Sequence, residues 1–426
     1  MKVLMFGWEF PPHISGGLGT ACYGLTKGLA NQNIETIFVV PKAYGDEDES
    51  AVRLVNASDV LVDSTDETYQ EFWKKITYLE IGSNLIPYVS PQEFARIAEE
   101  NRLEGVDHQK KVTSTKFEFS GKYGTDLMAE VSRYALVAAG IAKKMDFDLI
   151  HAHDWLTYSA GIAAKKITGK PLVVHMHATE FDRSGVNVNS NIYDIERRGM
   201  EEADRVITVS NLTKATVIEK YGINPDKIFT VYNAVEPTDK EVYEVKRHVK
   251  EKVVTFLGRL TMQKGPEYFI EAASIILKHD PNVRFVMAGS GDLMNKMIRR
   301  VAQLGIGTRF HFTGFLKGAD VDKMFLLSDV FVMPSVSEPF GIVPLEAMRS
   351  NVPVVISKQS GVAEILKYAL KVDFWDVHGL ADSIYGLLNY NSLSETFRKY
   401  GKDEVDSLKW DNAAYHVVQV YESLFK

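Results

Sequence analysis

Short apolar runs alternate with longer amphipathic stretches from one end of the chain to the other. The apolar runs predict strands at Val3–Phe6, Thr36–Val40, Asp148–His153, Pro171–His177, Val206–Val209 and Ile228–Tyr232. A second series follows at Val253–Leu257, Val283–Ala288, Arg309–Thr313, Val330–Met333 and Val352–Ile356. These runs are rich in Val and Ile and mostly apolar on both faces, and the segments between them have helical period. That is the pattern of parallel strands buried between helices, the βαβ alternation of an α/β fold. Eleven strands exceed one comfortable open sheet, so two sheets are expected.

The break between them falls in residues 236–252, a polar, highly charged stretch with no strong apolar stripe. It gives domains of about 240 and 180 residues, each the size of a doubly wound sheet domain. Residues 92–120 read as a polar insertion of two amphipathic helices and a loop, and Asp46–Ser50 as a surface loop.

Composition narrows the function classes. The chain has 426 residues, 45% of them hydrophobic and 25% charged, as ordinary globular domains have. With 49 basic and 56 acidic residues the net charge is −7, and no Lys/Arg block is long enough to line a nucleic-acid backbone. No apolar run approaches the ~20 residues of a membrane span, and the N-terminus lacks a signal-peptide core. The single cysteine, Cys22, excludes an intrachain disulfide and a multi-Cys zinc site. A cytoplasmic enzyme with no nucleic-acid partner and no stable membrane anchor is the expectation.

In open α/β sheets ligands bind beyond the carboxyl ends of the strands, and the unusual residues cluster there. After the first strand, Gly16, Gly17 and Gly19 open an apolar helix, where backbone N–H groups can approach an anion. A plain strand-to-helix turn is the alternative. DLIHAHDW places His151, His153 and Asp154 at one strand end, and PLVVHMHATEFDRSG places His175 and His177 at the next. Each pair shares a strand face. A metal site of hydrolase type and a metal-free pocket for a hydroxylated substrate both fit, and so do locally satisfied histidines.

The later segments are sharper. Arg259 follows VVTFLG, with Lys264 five residues on beside Gly265 and Pro266, so two cations stand at a predicted helix N-terminus. That costs ~0.3–1 kcal/mol against the helix dipole unless an anion binds there, which favours a diphosphate clamp over solvated charges. Another glycine turn, Gly289 to Gly291, ends VRFVMAG. In SEPFGIVPLEAM, Glu338 lies in a loop. A helix is predicted from near Gly341, with Glu346 one and a half turns inside; N–H groups at Gly341 and Ile342 could meet a phosphate. Paired carboxylates also suit a glycosidase, which has no need of the two cations.

Taken in order, GGLG, R-x4-K (Arg259, Lys264) and E-x7-E (Glu338, Glu346) resemble retaining nucleotide-sugar glycosyltransferases of the GT-B type, with two Rossmann-like domains. Within family 4 the glycogen/starch-synthase-like members are the nearest pattern, through HAHDW and HATEFDRSG. Thr20 after GGLG and Phe340 within EPFG depart from the bacterial glycogen-synthase spelling.

The resemblance implies an N-terminal Rossmann-like domain over 1–240 on the acceptor side and a donor-side domain over 241–408, facing a deep cleft. A helix over 409–426 would cross back to the first domain. Arg259 and Lys264 would hold the donor diphosphate, Glu338 would sit at the transferred sugar and His177 would contact it. Gly17, Gly19, Gly289, Gly341, Ile342 and Glu346 would bind the donor, with Glu346 on the ribose. Asp154, His153 and Glu180 would serve the sugar or acceptor. No metal is expected, because cations replace it. The D-x-D spellings at 146–148 and 320–322 precede a buried strand and start a helix, and are chance matches. The expected reaction moves glucose from ADP- or UDP-glucose to the end of an α-glucan.

Overall fold

A computed structural model describes residues 1–13, 16–63, 114–121, 123, 127–236, 247 and 249–426. In chain order its first strands are β1 (Lys2–Phe6), β2 (Glu35–Val40), β3 (Arg53–Asn56), β4 (Leu61–Asp63) and β5 (Ser114–Lys116). Next come β6 (Leu149–His153), β7 (Leu172–Met176), β8 (Arg205–Thr208) and β9 (Ile228–Thr230). The later series is β10 (Lys252–Leu257), β11 (Val283–Ala288), β12 (Phe310–Gly314), β13 (Val330–Met333), β14 (Val354–Ser357) and β15 (Leu370–Val372).

Two doubly wound sheets result. The first runs β3-β2-β1-β6-β7-β8-β9 and the second β12-β11-β10-β13-β14-β15. Parallel registers include Val3 opposite Thr36 and Leu149 in the first, and Val254 opposite Phe285 and Val330 in the second. Both orders reverse direction beside their first strand, which makes each sheet a Rossmann-like unit with a crevice at that reversal.

All eleven expected strands are present, with ends shifted by two residues at most. Two edge strands of the large sheets were not expected, nor was the small β4–β5 pair. β3 and β15 lack a two-faced apolar run because an edge strand need bury only part of itself, and neither contains a fully buried residue. The expected insertion at 92–120 falls mostly outside the described residues; its end holds β5, paired antiparallel with β4, where a helix or loop was expected. Most of the expected linker, 237–246 and 248, also lies outside them.

The chain packs as two compact units. One comprises residues 1–26, 33–174 and 198–205; the other comprises 27–32, 175–197 and 206–426. The second unit's core is built on Val254, Phe256, Phe269, Phe285 and Val332, each 2% exposed or less. Burying each such side chain contributes roughly 1.5–3 kcal/mol.

Within that unit the C-terminal helix Trp410–Glu422 lies against the last turns of the helix Gly17–Asn31. A Cβ on Gly28 would come 2.6 Å from the Trp410 carbonyl oxygen, and Asn31 donates to Asp411 at 2.8 Å. The buried face of the C-terminal helix carries Trp410, Ala413, Ala414, Val417, Val420 and Tyr421. Val418, next to that face, is half-buried. Among the described residues no helix is long and apolar enough to cross a membrane.

Candidate active site

At the reversal point of the second sheet, the ends of β10 and β13 lie side by side, and each leads into a polar loop. The β10 loop passes Gly258 and the exposed Arg259, which pairs with no carboxylate among the described residues. It then makes a short 3-10 turn, Met262–Lys264, before the helix Pro266–His279. Gly265 joins the two at φ +63, a left-handed conformation, and a Cβ there would meet the Pro334 carbonyl oxygen at 2.2 Å. Glycine is therefore needed twice over, for its backbone angle and for the close approach. That approach brings Lys264 against the loop after β13.

Lys264 Nζ donates to Glu338 Oε2 at 2.5 Å, and Ser335 Oγ donates to the same oxygen at 3.2 Å. Glu338 is buried and Lys264 largely so. Backbone bonds fix the loop further. Val336 N donates to the Gln263 carbonyl at 2.9 Å, Glu338 N to Gln359 at 3.0 Å, and the Glu338 carbonyl accepts from Gly361 N at 2.9 Å. Removing either member of such a pair strands a desolvated charge, at a cost of about 3–5 kcal/mol for fully buried pairs.

Gly341, at φ +103, stands outside the helical region, and the helix expected near it begins two residues on, at Val343. Ile342 precedes it as the N-cap. Glu346 consequently lies in the first turn, not one and a half turns inside. It is half-buried, and burial raises its carboxyl pKa, with Arg349 opposing and Asp322 reinforcing the rise. At Gly289 a Cβ would sit 1.8 Å from the Gly258 carbonyl oxygen, so the packing there admits only glycine.

The first sheet's reversal lies between β1 and β6. Gly16 and Gly17 stand in open space after β1. His151 and His153 are fully buried on one face of β6, their rings stacked at 4.3 Å. Asp154 follows at φ 62, ψ 169, a region natural only to glycine, where it N-caps the helix Trp155–Thr168 without a side-chain cap bond. Backbone strain of that kind costs of order 1–3 kcal/mol. Burial, then the charges of Glu9 and Asp154, push the Cys22 thiol well up, so it is an uncharged core group.

After β7, His177 stacks on His175 at 4.3 Å, and burial lowers its pKa to about 3. The imidazole is neutral at physiological pH. Next comes a five-residue helix, Glu180–Ser184, opened by a capping box in which Thr179 and Asp182 bond each other's backbone. Glu180 is turned inward. It accepts from Ser184 Oγ at 2.5 Å, Asn189 N at 3.1 Å and Arg183 Nε at 3.3 Å. Arg183 also reaches the buried Glu196, which accepts from Tyr221. Burial and that carboxylate hold the Tyr221 hydroxyl protonated.

Asp182, Arg183, Glu196 and Ser337 join these networks, and of the four only Asp182 has a motif of its own in the sequence, the T-x-x-D capping box at Thr179–Asp182. Of the expected site residues, Lys264 and Glu338 meet directly, while Arg259, Gly341 and Glu346 lie on the loops and helix of the same sheet's strand ends. The D-x-D spellings fall as expected, with Asp148 accepting from Lys2 N before β6 and Asp320 in the first turn of Ala319–Leu327.

Comparison with known proteins gives a consistent picture. Residues 238–404 match the profile "Glycosyl transferases group 1", and residues 117–239 match "Glycosyltransferase Family 4". An uncharacterized glycosyltransferase of Methanocaldococcus jannaschii is 31% identical over 99% of this chain and 98% of its own. A glycogen synthase of Mycobacterium tuberculosis is 24% identical over 99% of this chain and 94% of its own. Among solved structures, sucrose-phosphate synthase from Thermosynechococcus elongatus superposes with TM-score 0.70 at 17% identity, covering 100% of this chain and 99% of that one.

Proposed function

This chain belongs to the glycosyltransferases and has their GT-B fold of two Rossmann-like domains, and we propose that within them it is a retaining hexosyltransferase. It moves glucose from ADP- or UDP-glucose to the non-reducing end of an α-1,4-glucan. The observation that carries this reading is the Lys264–Glu338 pair at 2.5 Å, with Arg259 on the same loop. The full-length similarity to a glycogen synthase supports the choice of acceptor.

The chemistry follows from the charges. As the bond from the sugar's C1 to the phosphate oxygen breaks, negative charge grows on the departing nucleoside diphosphate. Arg259 and Lys264 stabilise that charge without reorganising, a contribution worth most in a partly desolvated site. The acceptor hydroxyl attacks C1 from the same face, and its proton passes to the departing phosphate oxygen. Both side-chain contacts of Glu338 fall on Oε2, which leaves Oε1 for the sugar's hydroxyls. His177, neutral, offers the sugar a polar contact without a competing charge. Glu346 takes the ribose, and Gly17, Gly19, His153 and Asp154 are the first sheet's candidate contacts for a sugar or a phosphate. No metal is required.

The test is nucleoside-diphosphate release from ADP-glucose and UDP-glucose, with and without glycogen, in a chelator. Glycogen-dependent release that survives the chelator is expected, and it names the donor. Release that glycogen does not stimulate moves the acceptor to another saccharide or a lipid. Silence with both donors rejects the glucose assignment, and activity restored by metal would favour a hydrolase built on the strand-end histidines.

A further inference from the structure

The helix Glu180–Ser184 is only five residues long, yet it sits among three buried carboxylates, Glu180, Asp182 and Glu196, and one arginine. Apolar side chains of equal volume would stabilise such a segment as well or better. What the charges add is direction. Arg183 donates to the Ala178 carbonyl at 3.0 Å and spans Glu180 and Glu196, while Glu180 N donates to Glu196 at 3.0 Å. The turn after His177 is thereby pinned.

Asp182 projects from that pinned turn. Its Oδ2 accepts from Thr179 N and Thr179 Oγ1, both at 2.7 Å, which completes the cap. Its Oδ1 accepts from Ser337 Oγ at 2.5 Å, across 155 residues of sequence. Ser337 is the residue before Glu338. On the other side of Glu338, the Pro339 carbonyl accepts from Ser210 Oγ at 2.6 Å. All these residues belong to one compact unit.

We propose that Asp182 is a positioning residue: through Ser337 it holds the Glu338 loop, keeping Oε2 on Lys264 and fixing Glu338 in register with His177. It touches no substrate. The backbone bonds of Glu338 all run to residues 359–361 of its own sheet, so the Asp182 bond is the side-chain tie to the segment after β7. The proposal rests on Glu338 standing at the transferred sugar.

Ser337→Ala removes this bond and leaves the Thr179–Asp182 cap whole. Its kcat should fall at least about tenfold, with KM and nucleoside-diphosphate affinity within about twofold of the parent. Ser337→Thr, which restores the hydroxyl, should recover most of the rate. Combined with Asp182→Asn, the loss should be clearly less than the product of the single losses. Amide hydrogen exchange supplies an independent readout: in Ser337→Ala the amides of Glu338 and Gly361 should exchange faster, and those of β10 and β11 should not change. If the parent is active and Ser337→Ala keeps its kcat, the proposal is overturned while the transferase reading stands. If the parent is silent with both donors, the donor reading fails and exchange decides. Faster exchange at Glu338 then upholds the tie, and unchanged exchange overturns it.

Discussion

Two crevices of the same topology carry opposite chemistry. Beside β10 and β13 the loops present Arg259 and Lys264, and the carboxylate that answers Lys264, Glu338, is held from several sides. Beside β1 and β6 no Lys or Arg follows either strand closely. The residues there are glycines, two stacked buried histidines and a strained Asp154. The fold supplies a crevice at each reversal point, and only the strand-end residues decide what each can bind. On the proposed reading the second binds the diphosphate, and the first offers polar groups to hydroxyls.

Glu338→Ala strikes the second crevice hardest. Transfer should fall by at least about 10²-fold while the circular dichroism spectrum stays that of the parent; unchanged turnover would remove Glu338 from the mechanism. Gly265→Ala attacks the same crevice through the backbone. The new methyl group meets the Pro334 carbonyl and a strained φ, so chemical denaturation should show a loss of roughly 2 kcal/mol or more. Turnover should drop with it, because Lys264 is displaced.

In the first crevice Asp154→Gly should behave in the opposite sense. It relieves strain of order 1–3 kcal/mol, less the ~0.5–1 kcal/mol that glycine loses in chain entropy, so stability should hold or rise while transfer falls. A loss of stability with full activity would make Asp154 a structural residue. The smallest effect concerns His177. Its folded pKa, about 3, lies below the ordinary 6.5, so the unfolded chain binds the extra proton between those values. Its contribution is fully present above pH 6.5 and is lost as pH falls toward 3. His177→Gln should flatten the acid limb of a melting-temperature profile over that window, and an unaltered limb would contradict the burial of the imidazole.

The two crevices were unequally legible in the sequence. The strands that flank them were readable because parallel strands covered on both faces become continuous Val/Ile runs, as at Val330–Met333. β3 and β15 escaped because an edge strand does not need that pattern. R-x4-K and the following Gly-Pro announced the second crevice, since two cations at a helix start are unfavourable without an anion. Nothing in one sequence shows that Gly289 faces the Gly258 backbone, or that Glu180 turns inward onto Ser184 and Arg183. The strain at Asp154 is equally hidden, because a non-glycine residue gives no sign of a glycine angle. The Asp182–Ser337 tie joins residues 155 apart and leaves no local signature. Local chemistry was readable, and the contacts that orient it were not.

The difference between the crevices comes down to where the diphosphate binds. Titration calorimetry with ADP and UDP on the parent and on Arg259→Ala/Lys264→Ala measures it without any need for the right acceptor. The double variant should lose at least about 100-fold in affinity for whichever nucleotide the parent prefers, as expected for two charge-assisted contacts. Affinity unchanged by the double substitution would place the diphosphate elsewhere and contradict the assignment of the β10–β13 crevice.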